Sequence, residues 1–518
     1  MISTHQGLDL FIFLAILAVT VFVYVRNSNL KRSALPYPPG PRKLPLLGNA
    51  LDIPARFEWE TYARWAKEYK SDIIHLTAAG NNIVVLNSYK AAVDLLEKRS
   101  STYSSRPHLT MASELMGWKC FMFIMPYGEK WRESRRAFTQ YFQGGDSTRF
   151  HASHTEFVSK MLPRLLDRPE EFYNITRRTV GEMALSLAYG IPTHPTNDPF
   201  IDLVERSVAS VLKATAPGAF LVDIFPVLKY VPEFIPGAGF QKKAREWREL
   251  QGKMREATYQ ETVRTMASGI FKPSFTSTSL QNLHESADLS HQKEVIRDTA
   301  ANVFIAGAET TDATIHTFFV AMLSFPEVQQ KAQAELDRVL RGRLPEFSDE
   351  ADLPYLSALV KEVLRWKPVT PIAVPHCVTA DDVYEGYYIP KGSIIIPNVW
   401  AMFYNEAEYP NPSSFEPDRF MKDGKLDPTV PDPSLMAFGF GRRICPGNQI
   451  AASFLWLTIA SVLTTLDISK ALGSDGNPIE QEIEYQSSLS YNPLPFRCTL
   501  KPRSEAAERV IRSAGDSY

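Results

Sequence analysis

Phe438-Gly439-Phe440-Gly441-Arg442-Arg443-Ile444-Cys445-Pro446-Gly447 sets one cysteine inside a glycine-bounded loop, directly ahead of a long apolar run with helical periodicity. A thiolate at Cys445 is a soft, anionic ligand for a metal-bearing cofactor. Gly441 and Gly447 let the backbone turn and approach a flat group without a Cβ in the way, and Arg443 adds a fixed positive charge beside Phe438. At average residue usage, five fixed positions of this kind coincide by chance in roughly one chain of this length in ten thousand. The remaining sequence is therefore read for what such a cysteine needs around it: an opposite wall, counter-charges and a brace.

The 518-residue chain is 44% hydrophobic and 22% charged, an ordinary composition for a protein able to bury a large core. Length alone suggests about three domains, yet one large helical enzyme occupies the same span. A formal net charge of -2 argues against a nucleic-acid partner, which calls for a basic excess. The cysteines Cys120, Cys377, Cys445 and Cys498 are scattered, with no CxxC and no dense framework, as suits a reducing compartment. Three of them read as small buried hydrophobes; only Cys445 has a context that asks for more.

Residues 1–33 read as an N-terminal membrane anchor. Leu10 to Val25 carry no charge and at 1.5 Å per residue span roughly 24 Å, close to the thinner endoplasmic reticulum bilayer, with the transmembrane helix at about 8–26. A cleaved signal peptide is disfavoured, because a basic start and a small-x-small cleavage site are both missing. Arg26, Lys31 and Arg32 follow the run, so the positive-inside rule predicts a single-pass protein whose catalytic domain faces the cytosol. Residues 34–50, with Pro36, Pro38, Pro39, Pro41 and Pro45, form a semi-rigid hinge. Residues 51–518 are expected to be the catalytic domain.

Within it, 3.6-residue periodicity predicts helices over Phe57–Tyr69, Lys90–Lys98, Gly128–Phe142, Thr155–Leu166, Arg177–Leu187, Phe200–Thr215, Phe240–Ser268, His291–Phe325, Pro326–Arg341, Tyr355–Trp366 and Gln449–Leu466. Alternation predicts paired strands over Ile73–Leu86, and a hairpin of Val383–Ile389 with Ser393–Asn398 about a Lys391-Gly392 turn. The fold class is mainly α with a small β region. The apolar stretch Phe220–Leu228 has two open readings, a buried loop or a membrane-touching segment beside a substrate channel.

The long helix at His291 carries Ala306-Gly307-Ala308-Glu309-Thr310-Thr311. Glycine and paired threonines weaken a helix interior, so a local widening is expected there, with a hydroxyl free to face a ligand. Glu362 and Arg365 lie one helical turn apart and can pair, which alone is the mark of any surface salt bridge. Trp131 and Arg135 share a helix face and can both reach a carboxylate. Asn174-Ile175-Thr176 is formally a glycosylation sequon and is read as without function.

Taken together, Phe-x-x-Gly-x-Arg-x-Cys-x-Gly, the Ala-Gly-x-Glu-Thr run, the Glu-x-x-Arg pair with Phe415-Glu416-Pro417-Asp418-Arg419-Phe420, and Trp-x-x-x-Arg resemble, in order and over nearly the whole chain, the cytochrome P-450 family, most closely fungal microsomal enzymes of specialised metabolism. The resemblance implies the cytochrome P-450 fold behind an N-terminal transmembrane helix, and haem b with iron on Cys445. It implies propionate or loop contacts from Trp131, Arg135, His376 and Arg443 together with Phe438, Gly441 and Gly447, and a structural network of Glu362, Arg365 and Arg419. Glu309 and Thr310 would relay protons during oxygen activation.

The implied activity is insertion of one oxygen atom from O2 into a hydrophobic small molecule, a terpenoid by preference, in secondary metabolism. The alternatives are an aromatic, indole or polyketide scaffold, or a haem-thiolate isomerase or dehydratase needing no O2. Electrons would come from NADPH through a reductase docking near Lys130, Arg132, Arg136 and Arg442, with a cytochrome b5-type protein as a second donor. Substrate-pocket candidates are Met116 and Phe121 in the loop before Trp131, Phe304 and Ala306, the Val369–Val374 segment including Ile372, and Leu489. Phe403-Tyr404-Asn405-Glu406 departs from the His-Asp-Pro turn of many relatives.

Overall fold

The structure is a computed structural model that describes residues 35–516 apart from 46, 79, 144–146, 195–196, 217, 285–287 and 474. The expected anchor at 1–33 lies outside the described residues, and among those described no helix is long and apolar enough to cross a membrane. The architecture is mainly helical with small sheets.

The principal helices are α1 (Glu58–Tyr69), α2 (Glu129–Phe142), α3 (His151–Asp167), α4 (Phe172–Tyr189), α5 (Pro199–Thr215), α6 (Gly239–Ala267), α7 (Leu289–Ser324), α8 (Pro326–Leu340), α9 (Pro354–Trp366) and α10 (Asn448–Thr465), followed by α11 (Glu505–Asp516). The first ten follow the periodicity closely, whereas α11, which buries only Ile511, is not among the helices expected from the sequence. The helix expected over Lys90–Lys98 divides into a short α turn, Tyr89–Ala92, and a wider π turn, Val93–Lys98.

Helix α7 is the spine of the molecule. Its 36 residues extend about 54 Å, and the Asp288 side chain caps it by accepting from Ser290 N and His291 N. From Ile296 to Leu323 most of its side chains are buried, against α2, α4 and α10 among others. The expected widening at Gly307–Thr311 does not occur: α7 stays α-helical, and Thr310 Oγ1 donates to the carbonyl of Ala306 at 3.0 Å. That back-bond satisfies the hydroxyl without opening the helix.

Strands β1 (Ile73–Ala78) and β2 (Asn81–Leu86) pair antiparallel in register Ile73 with Leu86. The later strands are β3 (His376–Cys377), β4 (Asp382–Tyr384), β5 (Tyr387–Ile389) and β6 (Ile394–Pro397), and the main sheet has the order β1-β2-β6-β3. Here the expected hairpin is corrected. β4 turns back on β5 through Glu385 and Gly386, both at positive φ (50° and 83°), while β6 leaves to run parallel to β2 with Ile83 beside Ile394. Two positive φ values suit the tight turn that matches strand twist. The sheet's last strand, β3, carries His376 into the interior at the mouth of the chamber described below.

Phe220–Leu228 is no buried loop, although Val222 is covered: Leu221, Phe225 and Val227 are 62%, 52% and 69% exposed, and Tyr230 and Phe234 downstream are exposed as well.

Candidate functional site

The loop before α10 is held from three sides. Cys445 N–H donates to Phe438 O at 2.8 Å, closing the loop on itself. Arg135 Nη1 donates to Ile444 O at 2.6 Å and Gln143 Nε2 to Pro446 O at 2.8 Å, fixing it to α2. Gly441 sits at φ 56°, and a Cβ there would stand 2.1 Å from the Leu96 carbonyl oxygen. Its need for glycine therefore comes from the close approach of the π turn Val93–Lys98, not from the approach of a flat group. Gly447 caps α10, and a Cβ on it would meet no atom within 4 Å. Burial pushes the Cys445 thiol up, opposed by the Gly447 N–H and the nearby Arg135.

Cys445 opens onto a cavity of about 330 Å³ between this loop and α7. One wall is Phe438, Gly439, Gly447 and Ile450; the other is Ala306, Gly307, Thr310 and Thr314. The small Ala306 lines the slot on this side, and a Cβ on Gly307 would meet the Ala184 side chain of α4 at 3.2 Å. Val369, Thr370, Ala373 and Val374 close the side toward β3.

One end of the slot is crowded with cations. Arg443 lies over the Trp131 ring, 4.6 Å from its centre, and donates to the carbonyls of Ser104, Met122 and Met125 at 2.7, 3.0 and 2.7 Å. Arg106 donates to Val374 O at 2.5 Å and Pro375 O at 3.0 Å, and its Nε has no partner. His376 holds Tyr103 O through Nδ1 at 2.7 Å. Arg135 lines the same end, and no acidic residue is among the described residues that line the cavity.

Burial pushes Arg443 down to about 9, aided by Arg135, and pushes Arg106 and His376 well below their usual values. A guanidinium does not give up its proton in a protein, so the directions on Arg443 and Arg106 express a demand for an anion inside the slot, while His376 stays neutral and offers a hydrogen bond only. Arg106 escaped the sequence reading: between Ser105 and Pro107 it has no helical partner and no motif spacing.

Behind the slot, Glu362 and Arg365 are fully buried. Arg365 grips Glu362 with two bonds of 2.7 and 2.8 Å and donates to the carbonyls of Phe403, Pro412 and Ser414. Arg419 Nε reaches Glu362 Oε1 at 3.1 Å, and the backbone N–H of Glu416 reaches the same oxygen at 2.8 Å. The network thus ties α9 to the segment that leads into the cysteine loop.

Thr310 faces the slot, but Glu309 does not: its Oε1 accepts from Asn492 Nδ2 at 2.6 Å on the side of α7 toward α4. Several pocket candidates are also displaced. Met116, Phe121 and Phe304 have no exposed surface and Ile372 is 5% exposed; all four pack in the core, Phe304 edge-on to Tyr189. Leu489 is half-buried away from the cavity lining. Of the candidates named, Ala306 lines the slot, and so do Val369, Thr370, Ala373 and Val374 of the 369–374 segment.

The family model described as cytochrome P450 matches residues 38–499. The chain belongs to the cytochrome P450 family. It is similar to the cytochrome P450 monooxygenase ple1 of Rhodocybe pseudopiperita, 47% identical over 96% of each chain. It is also similar to the cytochrome P450 monooxygenase 98 of Postia placenta (43%, covering 98% of this chain and 97% of the relative) and to the tryptamine 4-monooxygenase of Psilocybe cyanescens (39%, covering 93% and 96%). As a cytochrome P450 monooxygenase it is an oxidoreductase that incorporates oxygen, and the family's cofactor is haem on a cysteine thiolate, with electrons from NADPH through a reductase. The slot fits that group: a thiol at its floor, small residues opposite, and buried cations with no protein anion where the two haem carboxylates would need them.

Proposed function

We propose that this P450 hydroxylates or epoxidises a hydrophobic small molecule in fungal secondary metabolism, with a terpenoid scaffold favoured. The observation that carries the reading is the slot itself, which sets Cys445 opposite Ala306 and Thr310 with Arg106, Arg135, His376 and Arg443 at one end. Haem held there by the Cys445 thiolate would supply the oxygen-activating chemistry. The chain's own residues would hold and orient it: Cys445 as the iron ligand, Trp131 and the arginines toward the carboxylates, and the Glu362–Arg365–Arg419 network by fixing the loop. Thr310 holds a hydroxyl on the open face, and Glu309 stores the proton that Thr310 passes on.

The lack of acidic residues among the described lining disfavours a cationic amine substrate, since a buried ammonium needs a counter-charge. Tryptamine 4-monooxygenase is by name an indole-amine enzyme; its likeness keeps a neutral indole or other aromatic scaffold as the second reading. The exposed apolar face from Leu221 to Phe234 would rest on the endoplasmic reticulum surface beside the anchor, with the catalytic domain in the cytosol. Exposed Arg136 and Arg442 offer a cationic face for the reductase and a cytochrome b5-type donor.

Co-expression with a reductase, with O2 uptake, NADPH use and product mass followed on terpenoid and aromatic panels, tests the reading. Product carrying one added oxygen at the expense of both co-substrates supports it. Rearrangement of a peroxide with neither consumed would make the protein an isomerase or dehydratase.

A further inference from the structure

Glu309, Asp312 and His316 fall at i, i+3 and i+7 of α7, on the face turned from the slot toward α4. Asp312 and His316 are 5% and 1% exposed. Asp312 Oδ1 has no hydrogen bond and lies 3.3 Å from His316 Nε2. That nitrogen is 2.8 Å from Thr176 Oγ1 and 3.2 Å from Tyr173 O, while the Tyr173 ring stacks on the imidazole at 3.7 Å. From α4 comes Arg177, which pairs with Glu205 of α5 at 3.1 Å; these two side chains are 34% and 38% exposed and form the outer edge of the cluster. From the strand Tyr491–Pro493 comes Asn492, on Glu309.

The charge balance is the argument. Three carboxyl groups, Glu205, Glu309 and Asp312, face the single guanidinium of Arg177, and Glu205 already holds it. Burial holds the His316 imidazole down to about 3, so it stays neutral and offers no second cation. Burial and Glu309 push the Asp312 carboxyl well above its usual range, and burial likewise raises Glu309. A carboxylate buried without a partner takes up a proton instead of staying charged.

We propose that Asp312 is a proton-holding residue of this P450, seated behind Glu309 by His316, Thr176 and Tyr173, and that it resupplies Glu309 each time Glu309 releases a proton toward Thr310. The transfer balances: Glu309 gives one proton toward the slot and becomes a carboxylate, Asp312 passes its own proton one helical turn to Glu309, and Asp312 is reprotonated from solvent by way of the Glu205–Arg177 edge. Asp312 touches neither the slot nor its contents, so it is a positioning residue. The inference rests on the monooxygenase reading for its use, but not for the proton itself.

The test therefore has one arm without turnover. Infrared spectra of the resting holoprotein at about pH 7.5 should show the C=O stretch of buried carboxylic acid, with one such component missing in Asp312→Asn. Wild-type protein without any such band, or a spectrum unchanged in Asp312→Asn, overturns the proposal whatever the reaction proves to be. In the second arm, Asp312→Asn and Thr176→Val should keep the reduced-CO spectrum, and Asp312→Asn should also keep the melting temperature. They should lower product formed per NADPH several-fold, more steeply as pH rises, and enlarge the solvent isotope effect. A ratio and pH profile equal to wild type would leave Asp312 a purely structural group and overturn the role.

Discussion

Arg365 and Glu362 meet through two parallel N–H···O bonds of 2.7 and 2.8 Å with no solvent exposure on either side chain, one turn apart on α9. Neither charge has water to fall back on, so removing one strands the other. Arg365→Ala should cost about 3–5 kcal/mol. Arg365→Lys should recover little of that, because one ammonium cannot serve Glu362 and the carbonyls of Phe403, Pro412 and Ser414 together. Denaturant unfolding of the holoprotein checks the magnitude.

Arg106 has its Nε unpaired beside Arg443 and no acid among the lining residues. If a haem carboxylate satisfies that end, Arg106→Ala should release haem faster by roughly ten- to a hundredfold, the equivalent of one charge-assisted hydrogen bond. Haem transfer to an acceptor protein measures this. Glu309→Gln, which alters the far side of α7, should leave the release rate unchanged.

Helix positions and the cysteine loop were legible in the sequence because both are local: periodicity marks a buried face, and five fixed positions mark a loop. What periodicity does not say is whether a buried face meets protein or a cavity. Phe304 and Ala306 stand two residues apart on α7, about 200° around the helix, so only one can face the slot. Thr310 lies one turn on from Ala306, and it shares the slot wall; Phe304 packs on Tyr189. The hairpin expected about Lys391-Gly392 gives way to the one about Glu385-Gly386 for a related reason. Glu385-Gly386 and Lys391-Gly392 are equally good turn pairs locally, and what decides between them is β2, some three hundred residues earlier in the chain, which claims β6. Arg106 was invisible on the same account: its partners, the carbonyls of Val374 and Pro375, are brought to it only by the fold.

Cys445→Ser should abolish the strongly red-shifted band of the reduced, CO-bound protein, because a hydroxyl does not replace a thiolate as axial ligand. Cys120, Cys377 and Cys498 stand apart from the slot lining, and the corresponding serine variants should keep the band. A red-shifted band surviving in Cys445→Ser would remove the assignment of the iron ligand.

Acid should weaken the fold through buried histidines, and His154 isolates the effect. Its ring packs edge-on to Phe454 at 5.5 Å, its Nε2 has no partner, and burial with His151 nearby holds it down to about 3 from 6.5. Below pH 6.5 the unfolded chain binds a proton on this residue that the folded chain refuses, so stability falls as pH drops from there toward 3 and is untouched above. The slope approaches about 1.4 kcal/mol per pH unit. Other groups titrate in the same window, but they cancel in a comparison with His154→Gln, whose amide does not titrate. The advantage or deficit of wild type relative to that variant should shift by about 1 kcal/mol against wild type between pH 6.5 and 5.5, and stay constant between 7.5 and 8.5. Equilibrium unfolding at those four values checks it, and a difference that does not move with pH would mean that His154 takes up its proton equally in the folded and the unfolded chain.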